Sequence, residues 1–165
     1  AGLLASHAEV KGRWQMTTPS GLFTLSAKAD RIDERRDSTW EIIDYKTGGV
    51  PGESDIISGL SPQLPLEAAM AAAGAFDGLP KADVTALAHW KLSGGDPAGE
   101  IKAVKKDAAI LATEAVGGLH SLIDAFAQPG SRYLSVPDAD AAPRFSDYGH
   151  LARIREWSVS EGEET

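Results

Sequence analysis

The chain has 165 residues, of which 42% are hydrophobic and 24% are charged, and its formal net charge is −8. This length suits one domain with its own hydrophobic core, and the composition is that of an ordinary globular protein. A basic segment followed by an apolar one is missing at the start, so no signal peptide is predicted. No run of about 18 apolar residues occurs, so we exclude a membrane span and expect a cytoplasmic protein without a membrane partner. Because the chain does not begin with Met, we expect it to be a piece of a longer protein.

Cysteine is absent from the sequence. Disulfides, cysteine-ligated zinc and an iron–sulfur cluster are therefore excluded within this chain. The four histidines lie far apart and show no metal-ligand spacing. Any metal would be held mainly by oxygen atoms, which favours Mg²⁺ or Mn²⁺. The negative net charge counts against a nucleic-acid partner, because phosphate contacts need lysine and arginine.

The first half of the chain predicts three strands in meander order. Residues 7–16 mix apolar and polar side chains, and residues 22–29 alternate between them. The polar stretch 33–38 is typical of a hairpin connection. Residues 40–45 form a β-rich run that ends at a glycine-rich turn.

Helices are predicted for most of the second half. Ser61 followed by Pro62 fits an N-cap and a first-turn proline, which predicts a helix from there to Phe76. The order of strands first and then helix, strand and helix indicates an α/β domain. The remaining predicted elements are a strand at 83–92, a helix along the apolar stripe 104–126, and a short helix at 148–157 within an otherwise irregular segment, 130–165.

Acidic residues fall at informative places on the second and third predicted strands. Side chains alternate along a strand, so Asp44 and Lys46 share a face. Asp30 is predicted at the end of the preceding strand, and pairing of the two strands would bring both carboxylates together. Two carboxylates can bind a cation that neutralises phosphate charge and activates water, while a lysine orients that water. The combination predicts phosphodiester hydrolysis. Arg31 and Asp33 are expected to form a local ion pair instead.

An acid–x–lysine triplet is weak evidence by itself, since residues 9–11 and 100–102 have the same form. We interpret those two triplets as solvated charges, although Glu9 remains a candidate auxiliary acid. The triplet at Asp44 differs because an apolar pair precedes it and a glycine turn follows. The competing interpretation of that triplet is an exposed, salt-bridged strand end.

Three segments carry a resemblance to a known family. Residues 29–33 (Ala-Asp-Arg-Ile-Asp) and 40–48 (Trp-Glu-Ile-Ile-Asp-Tyr-Lys-Thr-Gly) resemble the PD-(D/E)XK nucleases of the RecB type. Residues 61–67 (Ser-Pro-Gln-Leu-Pro-Leu-Glu) are similar to that family's glutamine motif. Within the family, the chain resembles most the C-terminal nuclease domain of alphaproteobacterial AddB, also at residues 148–157. The resemblance implies a restriction-endonuclease-like mixed sheet flanked by helices, in a single nuclease domain over 1–165.

The resemblance also implies roles for individual residues. Asp30 and Asp44 would be metal ligands, together with the backbone carbonyl of Tyr45. Lys46 would be the catalytic lysine, and Gln63 would support the site or the DNA backbone. The implied cofactor is Mg²⁺ or Mn²⁺.

The sequence departs from the family pattern at three points. Glu67 stands where many relatives have tyrosine, which leaves it as a candidate auxiliary acid. Many relatives hold an iron–sulfur cluster with four cysteines, and this chain has no cysteine. The family's metal-binding histidine, on a helix upstream of the sheet, has no match, because His7 lies too close to the strands.

The expected function is therefore that of a metal-dependent DNA exonuclease domain. What the resemblance implies is the processing of double-strand break ends for recombinational repair, with an AddA-type helicase–nuclease subunit as partner. The alternative is a catalytically incomplete nuclease-like domain that holds DNA or the partner subunit. A nuclease acting on RNA or on nucleic acids in general is also compatible with the motif.

Overall fold

The structure is a computed structural model that describes residues 2–131. The chain divides into two compact units, Ala1–Pro129 and Gly130–Thr165. The predicted helix at 148–157 lies outside the described residues, as does nearly all of the segment 130–165 that was predicted to be irregular.

The first unit contains a mixed five-stranded sheet in which the spatial order of the strands equals their order in the chain. The first three strands form the predicted antiparallel meander. The fourth strand is parallel to the third, and the fifth is antiparallel to the fourth. The elements are β1 (Leu3–Thr18), β2 (Gly21–Arg35), β3 (Trp40–Lys46), α1 (Glu53–Ile57), α2 (Gln63–Ala73), β4 (Val84–Leu92), β5 (Gly99–Ala103) and α3 (Ala108–Ala127). The expectation of an α/β fold with a mixed sheet and flanking helices is confirmed.

The parallel pairing of β3 and β4 requires a crossover connection, and α1 and α2 supply it. The core lies where α2 and α3 contact the sheet. Its burial removes apolar side chains from water, which is the main favourable contribution to folding. The largest of its fully buried side chains are those of Ile32, Trp40, Ile42, Leu64, Met70, Leu87 and Leu111.

The prediction for β2 was too short. The strand continues to Arg35, so the first half of the polar stretch 33–38 belongs to a strand and only the second half to the hairpin connection. Its charged side chains find partners within the sheet, since Asp33 accepts a hydrogen bond from Ser6 and Arg35 pairs with Glu41. Polar composition therefore does not mark a loop where neighbouring strands satisfy the charges.

Helix α2 was predicted at the right place, with errors at both ends. It begins at Gln63 with Pro62 as the N-cap residue and no side-chain capping hydrogen bond, so Ser61 is not the cap. It ends at Ala73, because Gly74 takes the left-handed conformation with φ 71°.

Two short elements were not predicted. Helix α1 has five residues and buries only Ile56, too little to produce a helical periodicity. Strand β5 has no buried residue, and its backbone pairing with β4 forms it. Neither element carries an apolar pattern that sequence analysis can detect.

Helix α3 starts later than the predicted boundary at Val104. Asp107 is its N-cap, and the carboxylate accepts hydrogen bonds from the backbone of Ala109 and Ile110 at 2.9 and 3.0 Å. By length and composition alone this helix is apolar enough to cross a membrane, so the exclusion of any candidate span was too strong. Its residues Ala108 and Leu111 nevertheless belong to the domain core.

Close packing beside β1 depends on Gly12. The segment after α2 returns to this strand, where the backbone N–H of Arg13 donates to the Ala75 carbonyl at 2.8 Å. A Cβ atom on Gly12 would lie 2.8 Å from Phe76 Cδ1, 2.9 Å from the Ala75 carbonyl oxygen and 2.9 Å from Met70 Cε. Only glycine permits this approach of the two segments.

We expect Gly12→Ala to destabilise the protein by about 1–3 kcal/mol, because the added methyl group overpacks the contact with Phe76 and Ala75. Gly48→Ala is the matched control, since a Cβ there would meet no heavy atom within 4 Å. Urea denaturation of both variants measures the difference. Equal unfolding free energies for the two variants would contradict this account of Gly12.

Candidate active site

The candidate site lies where β2 and β3 separate. Their ladder of paired residues ends at Arg31 and Ile43. Beyond that point, the backbone N–H of Tyr45 donates to Asp30 Oδ2 at 2.9 Å. Asp30 lies inside β2 and not at its end, which corrects the sequence prediction. Its carboxylate still reaches β3, one residue from Asp44.

Asp44 is deeply enclosed, with 3% of its surface exposed, as is Glu67. Lys46 Nζ lies 3.1 Å from its Oδ1 atom and 2.9 Å from its Oδ2 atom, so the two residues share a strand face as predicted. His89 stands opposite Asp44 in the parallel register of β3 and β4. Its Nδ1 atom is 3.1 Å from Asp44 Oδ2.

The first turn of α2 connects this helix to the sheet. Gln63 Nε2 donates to Asp44 Oδ1 at 2.8 Å and to Glu67 Oε1 at 3.3 Å. Lys46 Nζ donates to Gln63 Oε1 at 3.3 Å. Gln63 and Glu67 are four residues apart and therefore lie on one face of the helix. One amide thus touches three charged side chains.

Glu67 is buried beneath this network, and its Oε2 atom has no hydrogen-bond partner among the described residues. Burial raises the pKa of Glu67 to about 7. The hydrogen bond from Gln63 opposes the rise, Asp44 and Asp30 add to it through their charges, and Lys46 opposes it. A buried carboxyl oxygen without a donor is a costly arrangement for a protein.

The donor set fits a hard divalent cation in its chemistry, because it consists of carboxylate oxygens with one unsatisfied atom on Glu67. The arrangement is open, since no three His, Asp or Glu side chains within residues 2–131 are placed to enclose a metal ion. The network of Lys46 and Gln63 occupies part of the space between the acids.

Of the residues singled out from the sequence, the structure brings together Asp44, Lys46, Gln63 and Glu67, with Asp30 beside them. The described contacts do not join Glu9 to this cluster, although its neighbours Ala8 and Val10 pair with Arg31 and Ala29, the residues on either side of Asp30. The carboxylate of Glu9 pairs with Lys28 Nζ at 3.0 Å, and 74% of its side chain is exposed.

Sequence analysis did not single out His89. The residue lies 45 positions from Asp44, and only the parallel pairing of β3 and β4 places the two side chains together. The position within the predicted fourth strand was known, but the register between strands was not. No local sequence signal marks this contact.

The other face of the sheet carries the predicted Arg31–Asp33 ion pair, which lies on β2 and is confirmed. Arg31 Nε and Nη2 donate to the two Asp33 carboxylate oxygens at 2.7 and 2.8 Å. The guanidinium carbon also lies 5.0 Å from the centre of the Trp90 ring. Burial favours a higher pKa for Asp33, but hydrogen bonds from Arg31 and Ser6, with nearby positive charges, hold this pKa below its usual value. These residues stabilise the sheet.

Comparison with protein families matches residues 2–146 to the PD-(D/E)XK nuclease superfamily. The match covers most of the chain, so the protein belongs to this superfamily. Members are generally nucleases, and they typically use divalent metals such as Mg²⁺.

Comparison with individual proteins gives shorter or more distant similarities. The uncharacterized proteins RT0391 of Rickettsia typhi and RC0550 of Rickettsia conorii are each 36% identical over 64 residues, which is 39% of this chain. The matched segment spans only 7% and 8% of the length of these two curated relatives. The solved structure of SSO0001 is similar with a TM-score of 0.45 and 12% identity, over 84% of this chain and 62% of that chain.

We expect Asp33→Asn to reduce the unfolding free energy at neutral pH by roughly 1–3 kcal/mol, because it removes the charged acceptor of Arg31. The native pKa of Asp33 is lowered. The stability it provides is therefore fully present above the unfolded pKa of about 4, and it is lost as the pH falls through the native value. The difference between wild type and variant should shrink below about pH 4.

Urea denaturation at neutral pH and at acidic pH measures this dependence. Asp77→Asn, at an exposed aspartate, controls for the loss of one negative charge. A stability difference for Asp33→Asn that stays constant down to about pH 2 would contradict the assigned ion pair.

Proposed function

We propose that this domain is the Mg²⁺-dependent deoxyribonuclease of an AddB-type helicase–nuclease subunit. The observation that carries the catalytic part is the position of Lys46 Nζ, 3.1 and 2.9 Å from the two oxygens of Asp44. Membership of the nuclease superfamily supports the same reaction class. The AddB assignment depends on the resemblance of residues 29–33, 40–48 and 61–67.

The residues that would hold the cation are Asp30 and Asp44, with the backbone carbonyl of Tyr45, and Glu67 would be an auxiliary acid beside them. A bound Mg²⁺ or Mn²⁺ would neutralise phosphate charge and lower the pKa of a water molecule. The acids themselves repel one another, which makes a cation favourable at this place.

Lys46 and Gln63 would act on the substrate side of the site. The Lys46 ammonium has three N–H donors. They contact both oxygens of Asp44 and Gln63 Oε1, and a donor released from these contacts would orient a water molecule or a phosphate oxygen. Gln63 Nε2 and Oε1 bridge Asp44 and Lys46, so the amide would hold these two side chains at a fixed spacing.

The wider role that we propose is the trimming of DNA ends at double-strand breaks before homologous recombination. An AddA-type helicase–nuclease subunit would be the partner, and the complex would act in the cytoplasm. The chain would form one nuclease domain at the C-terminal end of its subunit. Unwinding driven by ATP would belong to other parts of the complex.

A scaffold function is the competing proposal, and two observations favour it. The net charge of −8 opposes stand-alone DNA binding. Within residues 2–131 the acids do not enclose a metal ion. A scaffold would hold DNA or the partner subunit without binding Mn²⁺ at Asp30 and Asp44, so metal binding and cleavage separate the two proposals.

We expect Asp44→Ala and Lys46→Ala each to reduce nuclease activity of the full-length complex by about 100-fold or more, with unwinding largely intact. Both residues belong to one hydrogen-bonded cluster on β3. Glu100→Ala and Lys102→Ala are matched controls, because this acid–x–lysine triplet has the same form and both of its residues are exposed on β5. Digestion of linear DNA measures the effect. Activity within about threefold of wild type in both test variants would reject the assignment.

We also expect millimolar Mn²⁺ to raise the melting temperature of the protein. A ligand that binds only the folded state stabilises it by RT ln(1 + [L]/Kd), about 2.7 kcal/mol at a hundredfold excess over Kd. Asp30→Asn should remove most of this rise and should increase the melting temperature without metal, since it relieves repulsion.

Asp37→Asn is the control for this metal experiment, because it removes an exposed carboxylate between β2 and β3, at the opposite end of β3 from Asp44. Scanning calorimetry in buffers of matched ionic strength measures the shifts. A rise of equal size in wild type and Asp30→Asn would place the metal elsewhere.

A further inference from the structure

His89 is a buried histidine at the candidate site to which the proposed function assigns no role. Its side chain and that of Asp44 are each 4% exposed, and the Nδ1 atom lies 3.1 Å from Asp44 Oδ2. Histidine and aspartate are directly opposite each other on adjacent parallel strands. The pairing of β3 with β4 therefore fixes the backbone positions of both residues.

The donors around Asp44 are divided between its two carboxylate oxygens. Gln63 donates to Oδ1, Lys46 contacts both oxygens, and His89 contacts Oδ2. The Lys46 side chain is 28% exposed, and Gln63 is an exposed residue at a helix end. His89 is the one of these three donors that solvent and substrate do not reach.

We propose that His89 is a positioning residue, which donates its Nδ1–H to Asp44 Oδ2 and holds this carboxylate in the orientation needed to bind a divalent cation. This inference rests on the proposed metal-dependent function. The last torsion of an aspartate is broad and twofold, so hydrogen bonds must select one orientation. Lys46 and Gln63 would also act on the substrate, whereas the role of His89 would be to orient Asp44.

The chemistry of the pair specifies the form of the imidazole. A carboxylate only accepts hydrogen bonds, so Nδ1 must carry a proton for the contact to be attractive. Outer partners of metal-binding groups commonly contribute 10–100-fold to metal affinity by orienting them. A similar contribution is expected for His89.

The first test is NMR of the imidazole nitrogens in the metal-free protein. We expect His89 Nδ1 to carry a proton. A bare Nδ1 atom with the proton on Nε2 would overturn the proposal, because two lone pairs would then face each other. This measurement needs neither metal nor activity.

The second test is a titration of the protein with Mn²⁺ alone, followed by calorimetry. His89→Leu removes the donor and should raise the Kd for Mn²⁺ about tenfold or more. His89→Asn keeps an N–H donor near the Nδ1 position and should stay within about threefold of wild type. Melting temperatures of the metal-free variants show whether each one folds. If His89→Leu does not fold, His89→Gln replaces it, because the longer side chain moves the donor away from Oδ2.

Four outcomes of the titration oppose the proposal in different ways. Equal loss of affinity in His89→Asn and His89→Leu would overturn it and indicate that His89 binds the metal itself. An unchanged Kd in His89→Leu, with Asp44→Asn no longer binding Mn²⁺, would overturn only the role of His89. Equal Mn²⁺ binding by wild type and Asp44→Asn, or no binding by wild type, would remove the proposed metal site and the inference with it.

Discussion

The buried carboxylate of Asp44 imposes the main constraint on this domain. A charge removed from water is costly unless hydrogen bonds and an opposite charge replace its hydration. Here the replacement comes from Lys46 on β3, Gln63 on α2 and His89 on β4. The three partners belong to three different elements. The crossover from β3 through α2 to β4 is the connection that brings them to one carboxylate.

The acids around Asp44 make the site electrostatically incomplete. Glu67 has a raised pKa of about 7 and an oxygen without a donor, and Asp30 adds to the negative potential. Lys46 supplies one positive charge near these acids. A divalent cation would supply the remaining positive charge. It would also compensate the Glu67 oxygen for which the described part of the protein provides no donor. The same feature that costs stability in the absence of metal therefore favours metal binding.

The charged groups on the two faces of the sheet, around β2 and β3, have different surroundings. On the face of Asp44 the charged groups converge and one oxygen remains unsatisfied. On the opposite face Arg31 and Asp33 form a bidentate pair, supported by Ser6 and the Trp90 ring. Charges that are matched within the sheet stabilise it, and charges that are left unmatched remain available to a ligand.

The sequence by itself determined the meander order of the first three strands, the positions of the fourth strand and the main helices, and the shared face of Asp44 and Lys46. These features follow from periodicity along one element, which is a local property of the backbone. The motifs at residues 29–33, 40–48 and 61–67 pointed to the nuclease superfamily, because their acids, lysine and glutamine are close in the chain. The Arg31–Asp33 pair was also predicted, because these opposite charges are separated by only one position in the chain.

Only the tertiary structure decided the remainder. The extension of β2 through its polar end depends on partners in β1 and β3, and β5 depends on β4, so neither has a local signal. The position of Asp30 inside β2 follows from the pairing of β2 with β1, which continues on both sides of this residue. The contact between His89 and Asp44 depends on a strand register, which is a relation between segments distant in the chain. Burial of Glu67 depends in the same way on how α2 packs against the sheet, and this packing raises its pKa.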